Sequence, residues 1–230
     1  MRETRLLRIL EPCLLLFVPV VLIACALSGT ESTALLTLFA VCAALAPFFL
    51  RFEREHPKPR DIMPVVVLAA VAAAGRMLFA AVPNVKPVTA IVILCGVCFG
   101  RQSGFLCGAL AAFCSNLFFG QGPWTPWQMY AWGLTGFLAG VLEAAGVFRR
   151  FRWAVYAYGV LSAVLFGLIM DSWTVVGFVV PLSWQGALAG YAAGIPATLT
   201  HAAATLVFLL LVYAPWKRML LRMKQKFGIR

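Results

Sequence analysis

Eight apolar stretches run through this chain, and the short loops between them carry their positive charge almost wholly on alternate sides. The stretches are 9–28, 33–50, 62–82, 87–100, 104–119, 127–147, 153–177 and 187–214. A bilayer core of about 30 Å is crossed by roughly 17–25 apolar residues in a helix. Lipid offers no partner for backbone polar groups, so such stretches must be helices or a closed barrel. The fourth and fifth are short and would tilt little or extend into their flanks. The first follows Arg2, Arg5 and Arg8 as a signal peptide would. It runs long and ends without a clear small-x-small cleavage site, so it reads as a retained span.

Placing the N-terminus inside makes 1–8, 51–61, 101–103, 148–152 and 215–230 cytoplasmic. These segments hold Arg2, Arg5, Arg8, Arg51, Arg54, Lys58, Arg60, Arg101, Arg149, Arg150, Arg152 and the cluster from Lys217 to Arg230. The outer segments hold almost only Lys86. Positive residues in short loops stay on the cytoplasmic side. The expectation is a multi-pass protein of the cell membrane with both termini cytoplasmic.

Composition agrees. Apolar residues make up 63% of the chain and charged residues 12%, against about 25% charged in a soluble domain. That excludes a disordered chain, a nucleic-acid module and an ordinary soluble enzyme. The net charge of +11 is accounted for by the cytoplasmic loops, and the basic 215–230 segment suits anionic lipid headgroups. Cys13, Cys25, Cys42, Cys95, Cys98, Cys107 and Cys114 all fall in apolar runs. They read as small residues in membrane helices rather than a disulfide framework or a metal site.

The linker 51–61 carries both charge signs and two prolines. It divides the chain into 1–60, a transmembrane helix pair with its charged linker, and 61–230, a six-helix membrane domain with a basic C-terminal tail. The fold class is therefore an all-α integral membrane protein. Gly96/Gly100, Gly104/Gly108, Gly136/Gly140 and Gly190/Gly194 are small-xxx-small pairs that bring helix backbones together. The third span carries Ala69/Ala73 and Ala70/Ala74, a smooth face for internal packing or for another membrane protein.

The chain has no Gly-Lys dipeptide and hence no P-loop. It also lacks H-E-x-x-H and G-x-S-x-G. No catalytic residue, metal site or cofactor is expected. Charges inside spans cost roughly 2.5–3.5 kcal/mol each on insertion scales, so they are paired or functional. There are three: Arg76, Glu143 and Asp171. Glu143 reads as an interfacial partner of Arg149 and Arg150. Arg76 and Asp171 read either as a mutual salt bridge or as the lining of an outward-facing polar cavity. His201, the only histidine in a span, reads as a helix-to-helix hydrogen bond.

The outer loops mix proline, glycine, tryptophan and amides. They are Pro83-Asn84-Val85-Lys86-Pro87, the run from Gly120 to Gln128, and Pro181-Leu182-Ser183-Trp184-Gln185-Gly186. Aromatic walls with a few placed polar groups are the make-up of a small-molecule pocket. An interfacial aromatic belt explains the tryptophans singly, but not Asn116, Gln121, Gln128 and Gln185 beside them.

The block from about Asp61 to Tyr213 resembles the substrate-binding S components of energy-coupling factor (ECF) vitamin transporters. The features are the Ala-rich helix Ala69 to Ala74, the Asn84-Val85-Lys86-Pro87 segment, the Gly-rich hairpin from Gly100 to Gly108, and the stretch Asn116 to Gln128 with its Gly-Gln-Gly-Pro-Trp-Thr-Pro-Trp-Gln string. The resemblance covers about two-thirds of the chain. It implies a six-helix bundle with a vitamin site near the outer face, capped by loops. It also implies two partner ATPases and a transmembrane coupling subunit, docked through Ala69, Ala70, Ala73 and Ala74. The chain departs from the family in its extra pair, 9–50.

On this reading the pocket comprises Arg76, Asn84, Lys86, Asn116, Gln121, Trp124, Trp127, Gln128, Asp171 and Trp184. Tryptophan faces would stack on a planar ring and amides would bond its edge. Arg76 or Lys86 would meet a carboxylate or phosphate, and Asp171 a cationic group. A corrinoid such as cobalamin is the first candidate, with folate, riboflavin and queuosine precursors open. Two other readings stand beside it. One is a membrane enzyme using Asp171, Glu143 and His201; the other is an assembly protein without a ligand.

Overall fold

The computed structural model describes residues 17–21, 33–55, 58–179 and 183–229. Most of the expected first span, 9–28, lies outside these residues, as do Pro181 and Leu182 of the third outer loop. Residues 17–21 are helical. The labelled helices are α1 (Thr33–Glu55), α2 (Pro59–Leu78), α3 (Val88–Phe99), α4 (Arg101–Phe119), α5 (Trp124–Ala144), α6 (Val147–Arg150), α7 (Ala154–Phe178) and α8 (Trp184–Phe227). No strand occurs among the described residues.

Among the described residues four helices are long and apolar enough to cross a membrane: α2, α4, α7 and α8. This is the make-up of a multi-pass membrane protein. Three expected spans fall short: 33–50 yields only a shorter apolar stretch, Leu38–Leu50, and the other two have physical reasons. Helix α3 has 12 residues, about 18 Å at 1.5 Å per residue. Every one of its residues is buried, so its length need not match lipid. Helix α5 carries Gln128, Thr135 and Glu143 and packs against α1, α3, α4, α6 and α7. A helix wrapped by protein can hold polar groups that lipid would reject.

Local chemistry sets the boundaries. Pro59 opens α2 after an extended Lys58, since proline at the first helical position loses no intrahelical bond. Gly100, at φ 93°, is the single residue between α3 and α4; side-chain-bearing residues rarely adopt that conformation. Of the expected glycine pairs, Gly190 and Gly194 meet the side chains of Val175 and Asp171 and Gly100 faces open space, whereas the others meet backbone. A Cβ on Gly96 or Gly104 would strike the backbone of Gly136, and one on Gly140 would strike Gly100 and Arg101. Helices α3, α4 and α5 therefore touch backbone to backbone.

Helix α1 is part of the same core. Phe48 is buried, stacked on Phe105 of α4 at 3.5 Å between centroids and edge-on to Phe137 of α5 at 5.6 Å. The basic C-terminal segment is helical. Residues 215–227 continue α8 and pack beneath the bundle. Leu220 and Ile229 are buried, and Lys224 Nζ donates to the Cys98 carbonyl at 3.0 Å. The apolar Trp216, Leu220 and Ile229 hold this segment against the core while its lysines reach the ends of α3 and α5.

Candidate functional site

Polar side chains converge where α2 and α4 finish and α5 begins. Arg76, in the last turn of α2, is 6% exposed. Its Nη1 donates to Ser115 Oγ and to Asn116 Oδ1, both at 2.6 Å. Asn116 is fully buried and uses its other end completely. Its Nδ2 donates to Thr125 Oγ1 and to Gln128 Oε1, each at 2.9 Å. The Thr125 hydroxyl donates to Gln121 Oε1 at 2.9 Å and accepts from the Gly122 amide at 3.3 Å. Gln121 Nε2 closes the loop on the Phe113 carbonyl at 3.0 Å. The Asn116 amide thus uses both of its protons and one of the two lone pairs on Oδ1.

The charge is less well matched. Among the described residues Arg76 forms no ion pair, and its buried Nε has no partner. It rests on aromatic faces instead, with Cζ 4.7 Å from the Phe119 centroid and 5.2 Å from that of Trp132. Hydrogen bonds from a charged donor contribute about 1.5–3 kcal/mol each, and a desolvated cation–π contact about 2 kcal/mol. These hold the guanidinium without neutralising it.

Lys86 adds a second cation. Its Nζ lies 5.9 Å from the other aromatic partner of Arg76, the Phe119 ring. The loop is fixed by Pro87, which packs against Gly75 of α2, and by Asn84 at φ 61°, a conformation asparagine tolerates better than most residues. Burial first, then the charge of Arg76, lowers the pKa of the Lys86 ammonium below its ordinary value.

Behind this cluster, Trp132 Nε1 donates to Thr89 Oγ1 at 3.2 Å, and the same hydroxyl meets His201 Nε2 at 2.9 Å. Phe166 stacks on Trp132 at 4.7 Å and meets His201 edge-on at 5.0 Å. His201 thus bonds α8 to α3, a helix-to-helix link.

The ten expected pocket residues separate into groups. Arg76, Asn116, Gln121 and Gln128 form one hydrogen-bonded cluster, with Lys86 at its edge. Trp127 is wholly buried, 6.2 Å from Trp173, and its Nε1 has no partner. Trp124 is partly exposed and covers Gly122. Asn84 serves the turn. Trp184 is 77% exposed and stands apart. Asp171 does not pair with Arg76; its carboxylate packs on Gly194 of α8. No hydrogen bond between described residues joins Asp171 to His201. Glu143 lies at the opposite end. Its ion pair is with Lys217 at 3.4 Å, while Arg149 donates to its backbone carbonyl. The expected Arg149 or Arg150 pairing is replaced because α8 continues far enough to bring Lys217 across.

Ser115, Phe119, Thr125 and Trp132 belong to the cluster and were not expected there. Ser115 adjoins Asn116, and Thr125 follows Gln121 by four residues; that adjacency was the available signal. On α2, Ala69 and Ala73 are buried, so they cannot meet a partner. Ala70 and Ala74 face outward with Val66, Val67, Val71 and Leu78. Cavities of about 650, 390 and 680 Å³ lie at the Glu143 end.

A family model described as "Family of unknown function (DUF6580)" matches residues 56–226. No curated protein matches the chain, and no solved structure does.

Proposed function

We propose that this chain, which belongs to the DUF6580 family, is the substrate-binding S component of an ECF-type importer. It takes a small molecule at the outer face and delivers it with a coupling subunit and two ATPases. The observation that carries the reading is Arg76: a buried guanidinium with no acid among its partners, fixed by Ser115 and Asn116 at the loop end of the bundle. A cation held in place without its counter-ion is the usual form of a subsite for a carboxylate or phosphate.

The charge asymmetry of the loops supports an outer position for this end. Lys86 shares the Phe119 face with Arg76. Gln121, Trp124 and Gln128 stand at the edge of the cluster, where the loop 120–123 would move aside to admit a ligand. The tight packing suits a small oxyanion-bearing molecule with a flat ring; a corrinoid needs a larger rearrangement. The outward stripe through Val66, Val67, Ala70, Val71 and Ala74 is the face offered to the coupling subunit.

Native mass spectrometry of the detergent-purified protein tests the reading. Wild type should carry a vitamin-sized mass, or acquire one from a vitamin panel, and Arg76→Gln should not. An empty wild-type protein that ignores the panel would overturn it.

A further inference from the structure

The cavity of about 680 Å³ at the far end of the bundle is lined by Arg149, Arg152, Lys217 and Arg218 together with Trp153 and Tyr156. Four cations converge on one groove without an acid in its lining. Glu143 lines a neighbouring cavity and is engaged by Lys217. Arg149 and Arg218 each spend one nitrogen on a backbone carbonyl, of Glu143 and Ala214 respectively. Arg152 is exposed and has no partner among the described residues.

Charges that merely orient a membrane protein need not surround a cavity. Here the sequence places them on three segments: α6, the turn before α7, and the continuation of α8. The fold brings all three to one groove. Exposed Phe151 and Trp153 sit beside these cations, and such aromatics settle at headgroup level. A guanidinium fork matches phosphate oxygens in geometry and charge.

We infer that this groove seats an anionic glycerophospholipid of the adjacent leaflet, its phosphate between Arg152 and Arg218 and its glycerol region against Trp153 and Tyr156. The bound lipid supplies the negative charge that the groove lacks and ties the continuation of α8 to the start of α7. This goes beyond the transport reading and does not depend on it.

The test is native mass spectrometry from micelles holding equal phosphatidylglycerol and phosphatidylcholine. Both lipids carry a phosphate, and only the first carries net charge. Wild type should retain phosphatidylglycerol in preference. Near an anionic surface one basic residue is worth about 1 kcal/mol, so Arg152→Gln should cut the preference about fivefold. Arg152→Gln/Arg218→Gln should cut it by more than tenfold. Arg152→Gln breaks no bond within the protein, so it remains readable if the double variant fails to fold. Equal retention of both lipids by wild type, or an unchanged preference in Arg152→Gln, would overturn the assignment.

Discussion

Arg76 reaches from the last turn of α2 to Asn116 of α4, with 2.6 Å between its Nη1 and the amide oxygen, and no carboxylate accompanies it. Asn116 is the hub, because its Nδ2 also holds Thr125 and Gln128 of α5. Asn116→Ala leaves a buried cation and two acceptors short of partners. Each such loss costs about 1–3 kcal/mol. We expect a clear fall in thermal stability in detergent, whereas Gln121→Ala, at an exposed position, should change it little. Equal effects would show that the network is not centred on Asn116.

Lys86 gives a dependence on pH whose sign can be worked out. Its folded pKa lies below the ordinary lysine value of about 10.4 because of burial and the nearby Arg76 charge. Between those two values the unfolded chain binds more protons than the folded one. Stability therefore rises with pH through that window. Lys86→Met should flatten this rise in a stability-versus-pH series. Affinity for an oxyanion ligand should run the other way and weaken as Lys86 loses its proton. A ligand affinity indifferent to pH across this range would separate Lys86 from binding.

The glycine junction is a packing requirement. Gly136→Ala places a methyl group on the Gly104 backbone, and backbone cannot swing aside as a side chain can. Overpacking of this kind costs about 1–3 kcal/mol. Gly177→Ala is the matched control, since its new methyl group meets only Trp173 ring atoms at 3.8 Å or more. Thermal melts of the two variants should differ clearly, with Gly136→Ala lower.

Three tryptophans that look alike in sequence should respond differently. Trp127→Ala empties a wholly buried site and should lower stability by about 3–5 kcal/mol. Trp124→Ala should leave the fold intact and weaken ligand binding. Trp184→Ala should change neither, given its exposure. Melting curves paired with a ligand-binding assay distinguish the three; loss of binding in Trp184→Ala would show that the third loop folds over the site.

The outer-loop composition pointed to the end of the molecule where the polar cluster forms, but not to the full set of side chains in it. Arg76, Asn116, Gln121 and Gln128 were visible because amides and a cation are rare among apolar residues. Trp184 and Asp171 stood out for the same reason, and the structure sets them apart from the cluster. Rarity marks a residue without saying which neighbour it faces. Ala69 and Ala70 show the same limit: adjacent in sequence and alike in chemistry, one is buried and the other faces outward.

The helical make-up and the position of most helix ends follow from the chain read as a string. Run length, apolarity, proline and glycine are local properties, and the cost of exposing backbone to lipid turns them into helices. Partners required the folded chain. The choice of Asn116 over Asp171 for Arg76, and of Lys217 over Arg149 for Glu143, depends on how each helix is rotated about its axis and how far α8 continues. Helix rotation is set where the Gly96, Gly104, Gly136 and Gly140 backbones meet, and that contact exists only after helices distant in sequence have packed.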